Sequence, residues 1–131
     1  MCVFCDIINH QIPSKVVYED DDVLAILDIA QVTRGHTIVM PKNHVKNILE
    51  ADEETVTKCM SVVHKLAKQI QANLHCEGLN ILNNCNEIAG QSVDHLHFHI
   101  IPRYSKEDPV TFAFGKSKEV DLDEVLKDIK G

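Results

Sequence analysis

What the chain lacks narrows its class first. No stretch approaches the roughly 18 consecutive apolar residues of a membrane span, so no transmembrane segment and no membrane partner are expected. The N-terminal run Met1-Cys2-Val3-Phe4-Cys5 has no basic start followed by an apolar core. It is no secretory signal, and the cytoplasm is the expected compartment. Basic charge is in deficit: 13 Lys and Arg face 20 Asp and Glu, a formal net charge of −7. Nonspecific binding of DNA or RNA needs a basic face, so a nucleic-acid polymer is not expected as a partner. A single nucleotide, held by backbone amides, histidines and a few polar side chains, is still allowed. The five cysteines are an odd number without an export signal, which points to thiols or metal ligands rather than a disulfide framework. Internal repeats and low-complexity linkers are absent, and 131 residues make one domain, 1–131, large enough for a real core.

What is present reads as an α+β domain. Phe4, Ile7 and Ile8 suggest a short helical turn that ends at Ile12-Pro13. Val16–Glu19 reads as a strand, and Val23–Leu27 and His36–Met40 as an antiparallel pair rich in β-branched residues, the latter closed by Pro41. From Asp52 to Leu74, Val56, Cys59, Met60, Val63, Leu66, Ala67, Ile70 and Leu74 paint one helical stripe, with acids gathered at the start as the helix dipole prefers. His64 and His75 fall on the surface or end of that helix. Two further strands, Leu79–Leu82 and Val93–Ile101, flank a turn-rich stretch, and Pro102 ends the second. Asp121–Lys130 reads as a last helix with Asp121 as N-cap and Glu124 completing a capping box. The expectation is an antiparallel sheet of about five strands, one long helix and a short C-terminal helix.

Eight histidines are many for this length, and three of them alternate in Asp94-His95-Leu96-His97-Phe98-His99-Ile100. On an extended chain, side chains two apart share a face, so His95, His97 and His99 line one side and Leu96, Phe98 and Ile100 the other. A half-exposed strand that happens to be histidine-rich is the bland account, and strict period two in three imidazoles speaks against it. A three-histidine metal centre is the second account, but same-face positions on one strand are spread by roughly 6–7 Å per step and converge poorly on one ion. A nucleophile with supporting groups fits better. Neutral imidazole is nucleophilic near physiological pH, with one nitrogen free to attack while the other is held by a hydrogen bond. Neighbouring donors could then stabilise phosphoryl oxygens as charge develops.

The run His-Leu-His-Phe-His-Ile-Ile resembles the signature of the histidine triad (HIT) family. The likeness extends to Leu27-Asp28-Ile29, Gly35-His36, Pro41-Lys42-Asn43-His44 and Asn84…Ala89-Gly90-Gln91-Ser92, covering about Cys2 to Tyr104. It implies a HIT-like fold, a homodimer in which two sheets join, and hydrolysis or transfer of purine nucleotides through a nucleotidyl-histidine. His97 would be the nucleophile, His99 a phosphate contact, and His36 a neighbour of His97 that fixes its tautomer. Asn84, Gln91 and Ser92 would line the phosphate and leaving-group side, with Ser92 a proton donor. Asp28 would accept from the ribose hydroxyls, and Phe4, Ile7, Ile12 and Ile26 would form the slot for the base. The leaving group, whether from a phosphoramidate, an aminoacyl adenylate or a dinucleoside polyphosphate, is left open.

Cys2-Val3-Phe4-Cys5 is ambiguous by itself. A thioredoxin-like motif would follow a strand, and residue 2 has none before it; two unremarkable thiols are equally consistent; a zinc site needs two more ligands, and no second pair stands at finger spacing. The resemblance implies those ligands as His44 and His95, making a structural zinc on Cys2, Cys5, His44 and His95. Two departures stand out. Asp94 occupies a position commonly aromatic in relatives, and the chain has no tryptophan, hence no tryptophan-bearing C-terminal tail of the eukaryotic phosphoramidase type. A nucleotide-binding regulatory protein with incidental turnover is the alternative function, and a purely structural zinc protein a third.

Overall fold

A computed structural model describes residues 2–131. The sheet has five antiparallel strands: β1 (Val16–Glu19), β2 (Val23–Leu27), β3 (Thr37–Pro41), β4 (Gly78–Leu82) and β5 (Phe98–Arg103), in the order β1-β2-β3-β5-β4. Among the described residues three α-helices accompany it: α1 (Val3–Ile8), α2 (Glu53–Leu74) and α3 (Leu122–Lys130).

β2 and β3 are buried on both faces, which is why they read as continuous apolar runs rather than alternating ones. On one face Val23, Ala25, Val39, Phe98 and Ile100 pack against α2 through Cys59, Val62, Val63, Leu66 and Ile70. On the other, Leu24, Ile26, Ile38 and Met40 are covered by Phe4 of α1, with Ile7 and Ile8 beside it. The α2 stripe departs from expectation at one step: Met60 is 40% exposed, while Val62 is 5% exposed and completes the i, i+3, i+4 spacing from Cys59. Asp52 caps this helix by accepting from the Thr55 amide at 2.8 Å, and His75 closes it in the left-handed conformation with φ 59°. No described helix is long and apolar enough to cross a membrane.

Strand β3 runs Thr37–Pro41 rather than His36–Met40, with Pro41 paired to Val23, and β4 begins at Gly78 rather than Leu79; the larger differences are in β5. The last strand begins at Phe98, not Val93; the Leu96 amide turns to the Val45 carbonyl at 2.8 Å, and pairing with β3 starts only at Val39↔Phe98. Nor does Pro102 end the strand. It pairs with Leu79, and its carbonyl accepts from the Thr33 hydroxyl at 2.6 Å, beyond the last β3 partner, Thr37↔Ile100. A residue's nitrogen and carbonyl point to the same side of a strand, so the missing N–H falls where the ladder has already stopped.

α3 forms where expected, with Asp121 accepting from the Asp123 and Glu124 amides. None of its residues is buried, and Leu122, Val125, Leu126 and Ile129 stay open to solvent.

Candidate active site and metal cluster

His95 and His97 lie on the irregular segment leading into β5, and His99 lies within β5; all three sit on the sheet face away from α2. His97 is 6% exposed, its ring met edge-on by Phe4 at 5.0 Å. One of its nitrogens, Nδ1, lies 2.7 Å from the carbonyl of His95. A carbonyl only accepts, so Nδ1 carries the proton and Nε2 keeps its lone pair. Burial pushes the imidazole below its usual pKa, keeping it neutral near pH 7.

His99 is the next ring along, 5.0 Å from His97 between centroids. Its Nδ1 lies 2.9 Å from Nε2 of His36. Burial, with His97 and His36 adding to it, holds His99 down to about 4. The expectation that His36 fixes the tautomer of His97 is therefore corrected: His36 hydrogen-bonds His99, because the register places Ile38 opposite His99, while a carbonyl of its own chain orients His97. His36 is positioned by Gly35, whose φ is 94°, and its Nδ1 is a buried polar atom with no partner among the described residues.

Asp28 follows β2. Its Oδ1 accepts from the Ala30 amide at 2.8 Å and its Oδ2 lies 3.8 Å from His36 Nε2. Beside it runs a groove of about 570 Å3, lined by Pro13, Ser14, Lys15, Leu27, Ile29 and Gln31. Of the four residues expected to form an apolar slot, Phe4 and Ile26 are buried core, Ile7 packs against that core, and Ile12 is 37% exposed. Pro13, Leu27 and Ile29 give the groove beside Asp28 its apolar surface, and two of them flank Asp28 directly in the chain. That adjacency was the available clue.

The loop before the triad is held by Gln91. Its Nε2 donates to the carbonyls of Lys46 at 2.6 Å and Val93 at 3.0 Å, and its Oε1 accepts from the Asn86 amide at 2.8 Å. These bonds occupy both ends of the buried amide, so its visible task is to position the loop. Asn84 reaches back to the Gly90 carbonyl at 3.4 Å. Ser92 is exposed and lines a cleft of about 650 Å3 with Cys2, Val3, His44, Val93 and Asp94. Asn83, not singled out in the sequence, donates to the His97 carbonyl at 2.9 Å and steadies the backbone of that residue.

Cys2, Cys5, His44 and His95 converge, their ligand atoms all within 4.8 Å of one another. Cys2 Sγ and Cys5 Sγ lie 3.4 and 3.6 Å from His95 Nδ1, and Cys5 Sγ lies 3.3 Å from His44 Nδ1. Tetrahedral bonds of about 2.0–2.3 Å give ligand–ligand edges of roughly 3.3–3.8 Å, so these spacings fit a metal ion. His95 is fully buried, and its Nε2 donates to the Pro41 carbonyl at 2.8 Å, leaving the Nδ1 lone pair for the cluster. Burial and the adjacent Cys2 thiol push the Cys5 thiol up to about 11.

Comparison with known proteins agrees with this arrangement. The family description HIT domain matches residues 9–106. An uncharacterized HIT-like protein of Methanocaldococcus jannaschii is 50% identical over 131 residues, covering all of both chains. An adenosine 5′-monophosphoramidase of Saccharomyces cerevisiae is 33% identical over 126 residues, 96% of this chain and 77% of that one. Among solved structures, a HIT family member from Bacillus subtilis superposes with a TM-score of 0.92 at 46% identity, covering 98% of this chain and 94% of that one. A zinc-bound histidine triad family protein from Mycobacterium smegmatis gives 0.79 at 37%, covering 94% and 86%.

Proposed function

The chain belongs to the HIT family, and on that premise we propose that it is a nucleotide hydrolase or transferase working through a nucleotidyl-histidine on His97. One observation carries the reading: the 2.7 Å bond from His97 Nδ1 to the His95 carbonyl presents a neutral imidazole with Nε2 free. In the first step Nε2 attacks the α-phosphorus and the bond from phosphorus to the leaving nitrogen or oxygen breaks. The leaving group takes a proton, a role assigned to the exposed Ser92 hydroxyl. Water then attacks the same phosphorus, the bond to His97 breaks, and a nucleoside monophosphate leaves. His99 and Asn84 are assigned to the phosphoryl oxygens, while Gln91 shapes the loop that carries Ser92. Asp28 takes the ribose hydroxyls, and the groove formed by Pro13, Leu27 and Ile29 takes a purine base.

The phosphoramidase name of the yeast relative supports a phosphoramidate as substrate. Intact mass spectrometry of protein quenched during turnover of an adenosine phosphoramidate tests this. Wild type should carry one acid-labile adenylyl group and His97→Ala none. Turnover retained by His97→Ala removes the nucleophile assignment.

Cys2, Cys5, His44 and His95 are proposed to hold a structural zinc, tying α1 to the segment that presents the nucleophile. The donor set fits, and the mycobacterial relative is zinc-bound. A homodimer is proposed as well: β4 is a sheet edge with Ile81 exposed, and the apolar side of α3 is uncovered within the chain.

A further inference from the structure

We propose that Asp28, His36 and His99 form a second divalent-metal site, separate from the cysteine cluster, whose occupancy blocks nucleotide binding. The ligand atoms of these three side chains all lie within 4.8 Å of one another. His36 Nε2 and His99 Nδ1 face each other at 2.9 Å, and Asp28 Oδ2 stands 3.8 Å from that same His36 nitrogen. Two imidazole nitrogens and one carboxylate oxygen on a common side make a three-point donor set. That set suits the borderline transition metals zinc, copper(II), nickel and cobalt, and suits magnesium or calcium poorly, since those demand mostly oxygen ligands.

Between the facing nitrogens of His36 and His99, 2.9 Å apart, there is room for one proton, which one ring donates to the other. A cation between the rings replaces that proton. The rings need part by only a few tenths of an ångström, since two nitrogens bound to one ion stand roughly 3.3 Å apart. Three protein ligands leave positions for water, so the ion can come and go from the open side of Asp28.

The inhibitory half of the proposal rests on the nucleotide reading above, which gives Asp28 to the ribose and His99 to the phosphate. A metal that holds both removes them from the nucleotide. The metal-binding half stands without that reading.

The test loads the intact protein with one equivalent of zinc, which the cysteine cluster takes, and then titrates cobalt(II). Binding is followed by visible absorption and AMP affinity by calorimetry. A second equivalent should bind with weak ligand-field bands and no thiolate charge-transfer band. Asp28→Asn and His36→Gln should each weaken it at least tenfold. Asp28→Asn retains the Oδ1 acceptor for the Ala30 amide, so the test survives even if the buried His36 variant fails to fold. AMP affinity should fall at least tenfold when the second equivalent is bound. No second equivalent, or one insensitive to a folded variant, overturns the site. A second equivalent that leaves AMP affinity unchanged overturns its inhibitory role. Protein that binds cobalt in this way but binds no AMP with or without it overturns the nucleotide reading and leaves the metal site standing.

Discussion

Replacing Gly35 with alanine should cost the protein several kilocalories, while the same change at Gly78 should cost nothing. At Gly35 the backbone has φ of 94°, and a Cβ built there would stand 2.5 Å from Leu74 Cδ1 and 3.3 Å from Pro102 Cγ. The left-handed backbone costs an L-residue at least about 1–2 kcal/mol. The contact with Leu74 involves the end of a side chain that can rotate, so about 1–2 kcal/mol of overpacking is a fair addition. The sum, about 2–4 kcal/mol, corresponds to a fall in Tm of roughly 10–15 °C for a domain of this size. At Gly78 no atom lies within 4 Å of a built Cβ and no positive φ is involved. There alanine removes freedom from the unfolded chain and should add about 0.4–1 kcal/mol. Urea unfolding of both variants separates the two signs. Because Gly35 places His36, Gly35→Ala should also lower kcat/KM under conditions where it is still folded. Equal stability changes at the two glycines would refute the conformational argument.

The other expectations concern the site. Folding depresses the pKa values of His97 and His99, so both bind protons more readily in the unfolded chain. Their stabilising contribution is complete above the unfolded value near pH 6.5 and is lost as the pH falls towards about 4 for His99. The acid limb of kcat/KM should accordingly lie below pH 6.5, and an acid limb above pH 7 would contradict a desolvated His97. Cys5→Ser should lower bound zinc and Tm together, whereas unchanged metal content would retire the cysteine cluster as a zinc site. Asp28→Ala should weaken AMP by about 10–100-fold, the scale of hydrogen bonds to a charged acceptor, and leave 2′,3′-dideoxy-AMP unchanged. Equal losses for both ligands would take Asp28 out of the ribose site.

Much of the fold was legible because local chemistry and tertiary packing agree. Asp121 is an N-cap as read, α2 spans the expected residues, and all five strands overlap the runs read as strands. The misjudged start of β5 has a physical reason. Alternation of apolar and polar side chains suggests extended backbone, but His95–His97 alternates without pairing to a neighbour in the sheet, and residues 93–95 bend. The partner of His36 was unreadable for another reason: it follows from cross-strand register, which brings together residues 63 apart. Gln91 looks polar and available in sequence, and only its three backbone bonds show it committed. The convergence of Cys2 and Cys5 with His44 and His95 followed from family likeness, since neither spacing nor composition links the four.

His95 joins three otherwise separate parts of the molecule. Its Nδ1 faces the thiols, its Nε2 is tied to the end of β3, and its carbonyl grips His97. The thiol cluster and the proposed nucleophile, His97, are thus coupled through a single peptide unit, with no intervening chain of contacts to soften the link. A rotation of the His95 peptide large enough to release a metal would withdraw the acceptor that selects the tautomer of His97. Metal retention and nucleophile readiness would then be inherited together: a lineage that loses the thiols must find another way to hold that one carbonyl still.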